Sequence, residues 1–221
     1  MNLLLRQAVG IDVAQDELVV ALGRMDEDFL VDIYAHKTFS NSSRGFEGLV
    51  DWVSSRTEAA IGLRFVMEAT GVYHEELAHF LAGKGLAVSV VVPNKISNFF
   101  RTLEVKTVTD KTASETLARF GLERKLDSWK PPHASYRRIR HLTRERDQVI
   151  ADRTVAKNQL HAELASFEPL ASSVKRTKQK IAFLDKQIKE ITTELVALVK
   201  RDEEVDRLVG LLRSLPGIGL L

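Results

Sequence analysis

The chain has 221 residues, of which 44% are hydrophobic and 28% charged, a balance that suits one large soluble domain or one domain plus an extension. It has no cysteine, which excludes a disulfide framework and a cysteine-type zinc site. Its opening residues are too short for a signal-peptide core, and no apolar run of about 18 residues occurs, so a cytoplasmic protein without a membrane span is expected. The net charge of +2 is uneven: residues 1–129 carry 14 Lys/Arg against 18 Asp/Glu, residues 130–201 carry 16 against 8, and residues 202–221 carry 2 against 4, which puts a boundary near Pro131-Pro132.

Residues 8–22 read as two strands around a tight turn, and residues 29–39 as a third strand. An amphipathic helix follows, with Ser42 or Ser43 as N-cap and Phe46, Leu49, Val50 and Val53 on one face. Phe65-Val66-Met67-Glu68 is a short apolar strand ending at a carboxylate. A helix through Leu77, Phe80 and Leu81 is closed by Gly83 and Gly85. Residues 86–92 form a continuous apolar run, the pattern of a strand buried on both faces. Strands alternating with helices predict an α/β domain with a mixed sheet.

Beyond residue 130 strand signals cease. Residues 136–167 read as one helix, and Pro169 with Ser172-Ser173 breaks the chain. From Val174 a heptad repeat holds, with Val174, Ile181, Ile188, Leu195, Asp202 and Val209 at its a positions. Thr177, Leu184, Ile191, Leu198, Val205 and Leu212 take the d positions. This predicts a coiled-coil hairpin. The seam can close internally against residues 137–167 or against another subunit; the first helix has a poorer heptad (Ile139, Leu142, Arg146, Val149, Arg153, Ala156), which leaves part of the second helix's stripe without an obvious partner and favours oligomerisation. The Leu215-Pro216-Gly217-Ile218-Gly219 segment resembles a helix-hairpin-helix turn that offers backbone N–H groups to phosphate.

Three carboxylates stand where a nuclease would need them: Asp12 within the first apolar strand, Glu68 at the end of another, and Asp110 at the start of a helix. A carboxylate among β-branched apolar neighbours costs several kcal/mol unless it is paired or bound to a cation. Mg²⁺ suits hard oxygen ligands, and metal ions held this way support in-line phosphodiester cleavage. Each acid also has an ordinary reading: a turn cap for Asp12, an exposed strand end for Glu68, a helix N-cap for Asp110. Only the set of three favours a metal.

The segments around these acids are distinctive. Val9-Gly10-Ile11-Asp12-Val13-Ala14, Met67-Glu68-Ala69-Thr70-Gly71-Val72-Tyr73, Val91-Val92-Pro93-Asn94-Lys95, Thr109-Asp110-Lys111 and Leu117-Ala118-Arg119-Phe120-Gly121 resemble, in that order, the DEDD transposases of insertion-sequence family 110, which include the Piv-type DNA invertases. The resemblance runs along essentially the whole chain. It implies a ribonuclease-H-like (RuvC-like) mixed sheet flanked by helices over residues 1–130, a coiled-coil hairpin for subunit association over residues 131–212, and the start of a further domain at residues 213–221. In the family that further domain supplies a serine nucleophile. The resemblance also implies Mg²⁺ as cofactor, held by Asp12, Glu68 and Asp110, and as partners DNA, a structured guide RNA and further copies of the chain in a dimer or tetramer. A bacterial cytoplasmic, nucleoid-associated location goes with these.

The chain departs from the family at the fourth acid, where Thr-Asp-Lys-x-Asp-Ala reads Thr109-Asp110-Lys111-Thr112-Ala113-Ser114. Ser114 could contribute a neutral oxygen, whereas Glu115 points roughly 140° away from Asp110 around an ideal helix. A catalytically degenerate fragment that only binds nucleic acid and partner subunits is therefore the alternative. Lys95, Arg101, Lys106 and Lys111 near the acids, and Arg137, Arg138, Arg140 and Arg144 on the first long helix, are candidate phosphate contacts; a solvated helix face is the plainer reading of the second group. Phe99, Phe100 and Trp129 could stack on bases, with core packing the better expectation. His74 and His79 carry no assigned chemistry. An actin-like sugar kinase also begins Gly-Ile-Asp, but Ala14-Gln15-Asp16 stands where its phosphate-cradling turn would be.

Overall fold

The alternating first forty residues form three strands, β1 (Leu4–Val13), β2 (Glu17–Asp26) and β3 (Val31–Ser40), in the computed structural model, which describes residues 3–103, 107 and 109–217. Both junctions are antiparallel. β4 (Leu63–Glu68) and β5 (Ala87–Val91) extend the sheet in parallel with β1, in the order β3-β2-β1-β4-β5. That mixed order is the expected ribonuclease-H-like α/β fold. The chain divides into two units, Met1–Pro131 and Pro132–Leu221.

Two sets of side chains give the sheet of the first unit its two covered faces. Val9, Ile11, Phe65 and Met67 are fully buried in one core with Phe46, Leu49 and Trp52 of α1 (Ser43–Ser54) and Leu77 and Leu81 of α2 (Glu75–Gly83). Ser42 caps α1 by accepting from the Gly45 N–H. On the other face Val66 and Val91 pack with Ile96 and Phe99 of α3 (Pro93–Phe100) and Leu117 and Phe120 of α4 (Asp110–Glu123). α3 is a helix the sequence reading missed; Pro93 sits in its first turn, where a missing N–H costs nothing.

α4 lies unusually close to β1. A Cβ added at Gly10 would collide with the backbone of Ser114 and Ala118, and one added at Gly121 would lie 2.6 Å from Val66 Cγ2. At the far end Arg6 Nη1 donates to the Leu122 carbonyl at 2.8 Å. The free edge of β5 is covered by residues 127–129, through Trp129 N–H to the Val88 carbonyl (2.7 Å) and Ser89 Oγ to the Asp127 carbonyl (2.7 Å).

The second unit contains α5 (Ala134–Ala165), α6 (Ala171–Lys200) and α7 (Glu203–Arg213). α5 and α6 are antiparallel, as Arg146 reaches Thr192 (3.2 Å) and Arg153 reaches Asp185 (2.9 Å). Two expectations are corrected here. The seam does not continue as one helix to residue 212. Asp202, at a heptad a position, instead caps α7 through the Val205 N–H and accepts from Ser135 Oγ at 2.6 Å. The part of the stripe without an obvious partner finds one internally: α5 packs along α6, where Leu184, Ile191 and Leu195 are buried, and Arg146 and Arg153 in the poorer heptad bond across to α6. Of the Leu215–Gly219 turn, Gly217 has a φ of 89°, and residues 218–221 lie outside the described residues.

The Gly10 crossing is testable. Gly10→Val should destabilise the chain by at least about 1–3 kcal/mol in chemical denaturation, because the clash is with backbone that cannot rotate away. Gly62→Ala, at a position with nothing within 4 Å, should change stability little.

Candidate functional site

β1 and β4 are parallel neighbours whose last registered pair is Ile11 with Met67. The next residue on each strand is an acid, so Asp12 and Glu68 stand side by side at the carboxyl edge of the parallel strands. Strand alternation puts Asp12 on the face of Gly10 and Glu68 on that of Val66, which is the face α4 covers. α4 runs against β1: Gly121 lies over Ala8, and Ala118 and Ser114 over Gly10. One more turn toward the helix start brings Asp110 to the level of Asp12.

Asp110 has no capping duty. Thr109 is the N-cap of α4, its Oγ1 accepting from the Thr112 N–H at 3.2 Å while Thr112 Oγ1 accepts from the Thr109 N–H at 2.8 Å. The Asp110 carboxylate is exposed in the first turn, where the helix dipole favours negative charge. Glu68 is half-buried and accepts a 2.7 Å hydrogen bond from the Thr70 hydroxyl. Sequence reasoning passed over Thr70; its signal was a hydroxyl two residues after the strand-end acid and just before Gly71.

Asp110 and Glu68 both act on Asp12. Burial, then the charges of Asp110 and Glu68, push the Asp12 carboxyl up to about 6, against a weaker pull from the Val13 N–H. Among the described residues, however, no three His, Cys, Asp or Glu side chains are grouped closely enough to hold a metal ion. Coulombic coupling reaches farther than ligation. The donor set thus fits a hard divalent cation in chemical kind, while its spacing would have to tighten around one.

The other candidates fall in several places. Ser114 is fully buried at the Gly10 crossing and its hydroxyl donates to the Lys111 carbonyl at 2.8 Å, which makes it a packing residue here. Glu115 pairs with His36 Nε2 at 2.8 Å, on β3 and away from the acids. Ala113 lies three residues beyond Asp110, on the same side of α4, and has no side-chain oxygen. Lys95 is exposed in the first turn of α3, Arg101 is exposed at its end, and Lys111 is exposed beside Asp110. Lys106 lies outside the described residues. Arg137, Arg138, Arg140 and Arg144 are exposed along α5 in the second unit. Phe99 is buried edge-to-face with Phe120, 5.0 Å between centroids, and Trp129 packs on the sheet core against His79. Both are core residues rather than base-stacking platforms. His74 is buried, and burial lowers its pKa.

Comparison with known proteins adds an independent view. The DEDD_Tnp_IS110 family model, described as Transposase, matches residues 9–169. The pilin gene-inverting proteins of Moraxella bovis and Moraxella lacunata are each 28% identical over 213 residues, which is 96% of this chain and 62% of theirs. The chain therefore spans less than two thirds of the length of these relatives. Among solved structures, Thermus thermophilus RuvC aligns over 56% of this chain and 99% of its own at 9% identity and a TM-score of 0.41. The fowlpox virus resolvase with Holliday junction DNA aligns over 52% and 98% at 11% identity and a TM-score of 0.37.

The carboxyl at position 12 gives a prediction with a definite sign. A folded-state pKa of about 6 against an ordinary 3.8 means that Asp12 favours the folded state fully below pH about 4 and loses that contribution as pH rises through 6. Asp12→Asn should therefore raise the melting temperature at pH 8 without added divalent cation and leave it nearly unchanged at pH 4.

Proposed function

The chain belongs to the DEDD transposase family of the IS110 type, and from that premise we propose that its first unit is the metal-dependent strand-cleaving domain of a DNA transposase or site-specific recombinase. The observation that carries this reading is the convergence of Asp12, Glu68 and Asp110, from two parallel strands and one helix start, at one sheet edge where Glu68 and Asp110 each raise the cost of charging Asp12. Carboxyl edges of parallel strands are where α/β sheets place their ligands.

Asp12, Glu68 and Asp110 would hold Mg²⁺. When bound, such a cation polarises the phosphoryl oxygen and lowers the pKa of the attacking water. Asp12 must give up its carboxyl proton before it can ligate, so cation affinity should weaken as pH falls below about 6. Lys95, Arg101 and Lys111, all exposed, would hold the phosphates of the bound strand. Arg137, Arg138, Arg140 and Arg144 on α5 are a second set of backbone contacts, for DNA or for a structured RNA of the element. In such an arrangement base pairing reads the sequence while the protein reads charge and shape. The hairpin of α5 and α6 would join subunits. The apolar side chains it leaves exposed, Phe167 at 93% and Phe183 at 60% among them, support association better than its seam, which is filled from within.

A second reading has its own observation. Ala113 stands where the family carries its fourth acid, so the domain would bind nucleic acid without cutting it. Ala113→Asp separates the two. If the three acids form a working site, this change should lower the Mg²⁺ concentration needed for strand cleavage by the full-length protein. If the site is degenerate, wild-type protein cleaves nothing at any Mg²⁺ concentration.

The cleavage reading also fixes the outcome of two other substitutions. Asp12→Asn should abolish Mg²⁺-dependent cleavage by the full-length protein while sparing its RNA binding in a filter or mobility-shift assay. Replacing Arg137, Arg138, Arg140 and Arg144 together by Ala should weaken nucleic-acid binding across all sequences. It should also reduce the slope of log affinity against log salt by about 0.7–0.9 for each phosphate that these arginines neutralise.

A further inference from the structure

We propose that Thr70 is a positioning residue for the metal centre: its hydroxyl restrains the Glu68 carboxylate through one oxygen and keeps the other available to a cation. The inference rests on the reading of Asp12, Glu68 and Asp110 as that centre.

The Thr70 Oγ1–H donates to Glu68 Oε1 at 2.7 Å, the length of a charge-assisted O–H···O⁻ bond. It occupies one oxygen of Glu68 and leaves the other, and the remaining lone pairs, for a cation. A glutamate at a strand end has three rotatable side-chain bonds and would otherwise sample many orientations, so fixing it in advance removes an entropic cost from ligation.

The hydroxyl can do this because its own backbone is tied down on both sides. The Ala69 N–H donates to the Val91 carbonyl at 2.8 Å, which anchors the loop to the end of β5. Gly71 turns the chain with a φ of 62°, a conformation glycine adopts without strain. Beyond the turn, Asn41 Nδ2 donates to both the Tyr73 carbonyl (3.2 Å) and the Ala14 carbonyl (2.8 Å), and Tyr73 Oη meets Gln15 Oε1 at 3.3 Å. Asn41 thus clamps the loop after Glu68 to the turn after Asp12. The segments that follow the two strand acids are joined as one piece, and Thr70 is the only side chain of residues 69–71 with a hydroxyl to offer Glu68.

The decisive measurement is direct Mn²⁺ binding to the whole chain, read from the loss of the free-ion electron paramagnetic resonance signal and therefore independent of catalysis. Melting temperatures recorded on the same samples report any loss of folding. Thr70→Val, which keeps the shape and removes the donor, should weaken Mn²⁺ binding about 10- to 100-fold, the range for loss of a group that orients a ligand. Thr70→Ser, which keeps the donor, should restore it to near the wild-type value. Asp12→Asn serves as the control for the centre itself. If the wild-type chain takes up no Mn²⁺, or Asp12→Asn binds it as well as wild type does, the metal reading fails and the role of Thr70 fails with it. If Asp12→Asn loses binding but Thr70→Val does not, or if Thr70→Ser is as weak as Thr70→Val, the centre stands and the positioning role is overturned. A Thr70→Val chain that melts earlier yet binds Mn²⁺ normally would make Thr70 a loop-closing residue only.

Discussion

The site depends on how closely α4 can approach β1. Gly10 has no side chain because the backbone of Ser114 and Ala118 occupies the space one would need, and Gly121 repeats the arrangement against Val66 and Ala8. A larger residue at either place would lift the helix from the sheet. The helix start would then swing away from the strand end, and Asp110 with it. Small residues in the middle of the strand and helix therefore decide whether acids at their ends can share one field.

That field comes at a cost to stability. Placing Glu68 and Asp110 near a partly buried Asp12 disfavours its charge, and the Val13 backbone N–H opposes this. The helix start contributes more economically: threonines at 109 and 112 cap each other's backbone, so Asp110 is left at the positive end of the helix with no structural duty. An aspartate doing the capping would have had its oxygens turned onto the helix's own N–H groups. Freed of that, it can serve a ligand.

In the second unit, polar residues decide the hairpin as much as the apolar stripe does. Arg146 and Arg153 interrupt the heptad of α5, but each reaches a partner on α6, so the interruptions specify how the two helices pair. Asp202 interrupts the heptad of α6 and ends it, because its carboxylate caps the next helix and binds Ser135 near the start of α5. A heptad count treats such residues as defects. The folded chain uses them as pins.

Much of this was legible in the residues themselves. Alternation marked the strands, Ser42 marked the start of α1, and the break near Pro169 marked the hairpin, since these are local preferences acting over a few residues. The motifs around Asp12, Glu68 and Asp110 carried the family, and Ala113 its one departure. Other features were not local. That Thr109 and not Asp110 caps α4, that Ser114 is a packing residue, that Glu115 is taken by His36, and that α5 fills the seam of α6 each depend on a partner distant in sequence or on a choice between two adequate acceptors. Residue types alone determined that carboxylates stand at the ends of β1 and β4 and at the start of α4. Only the tertiary structure decided which acids lie within reach of Asp12's charge, because that depends on the closeness of a helix to a strand, and the distance is set by side chains that are absent.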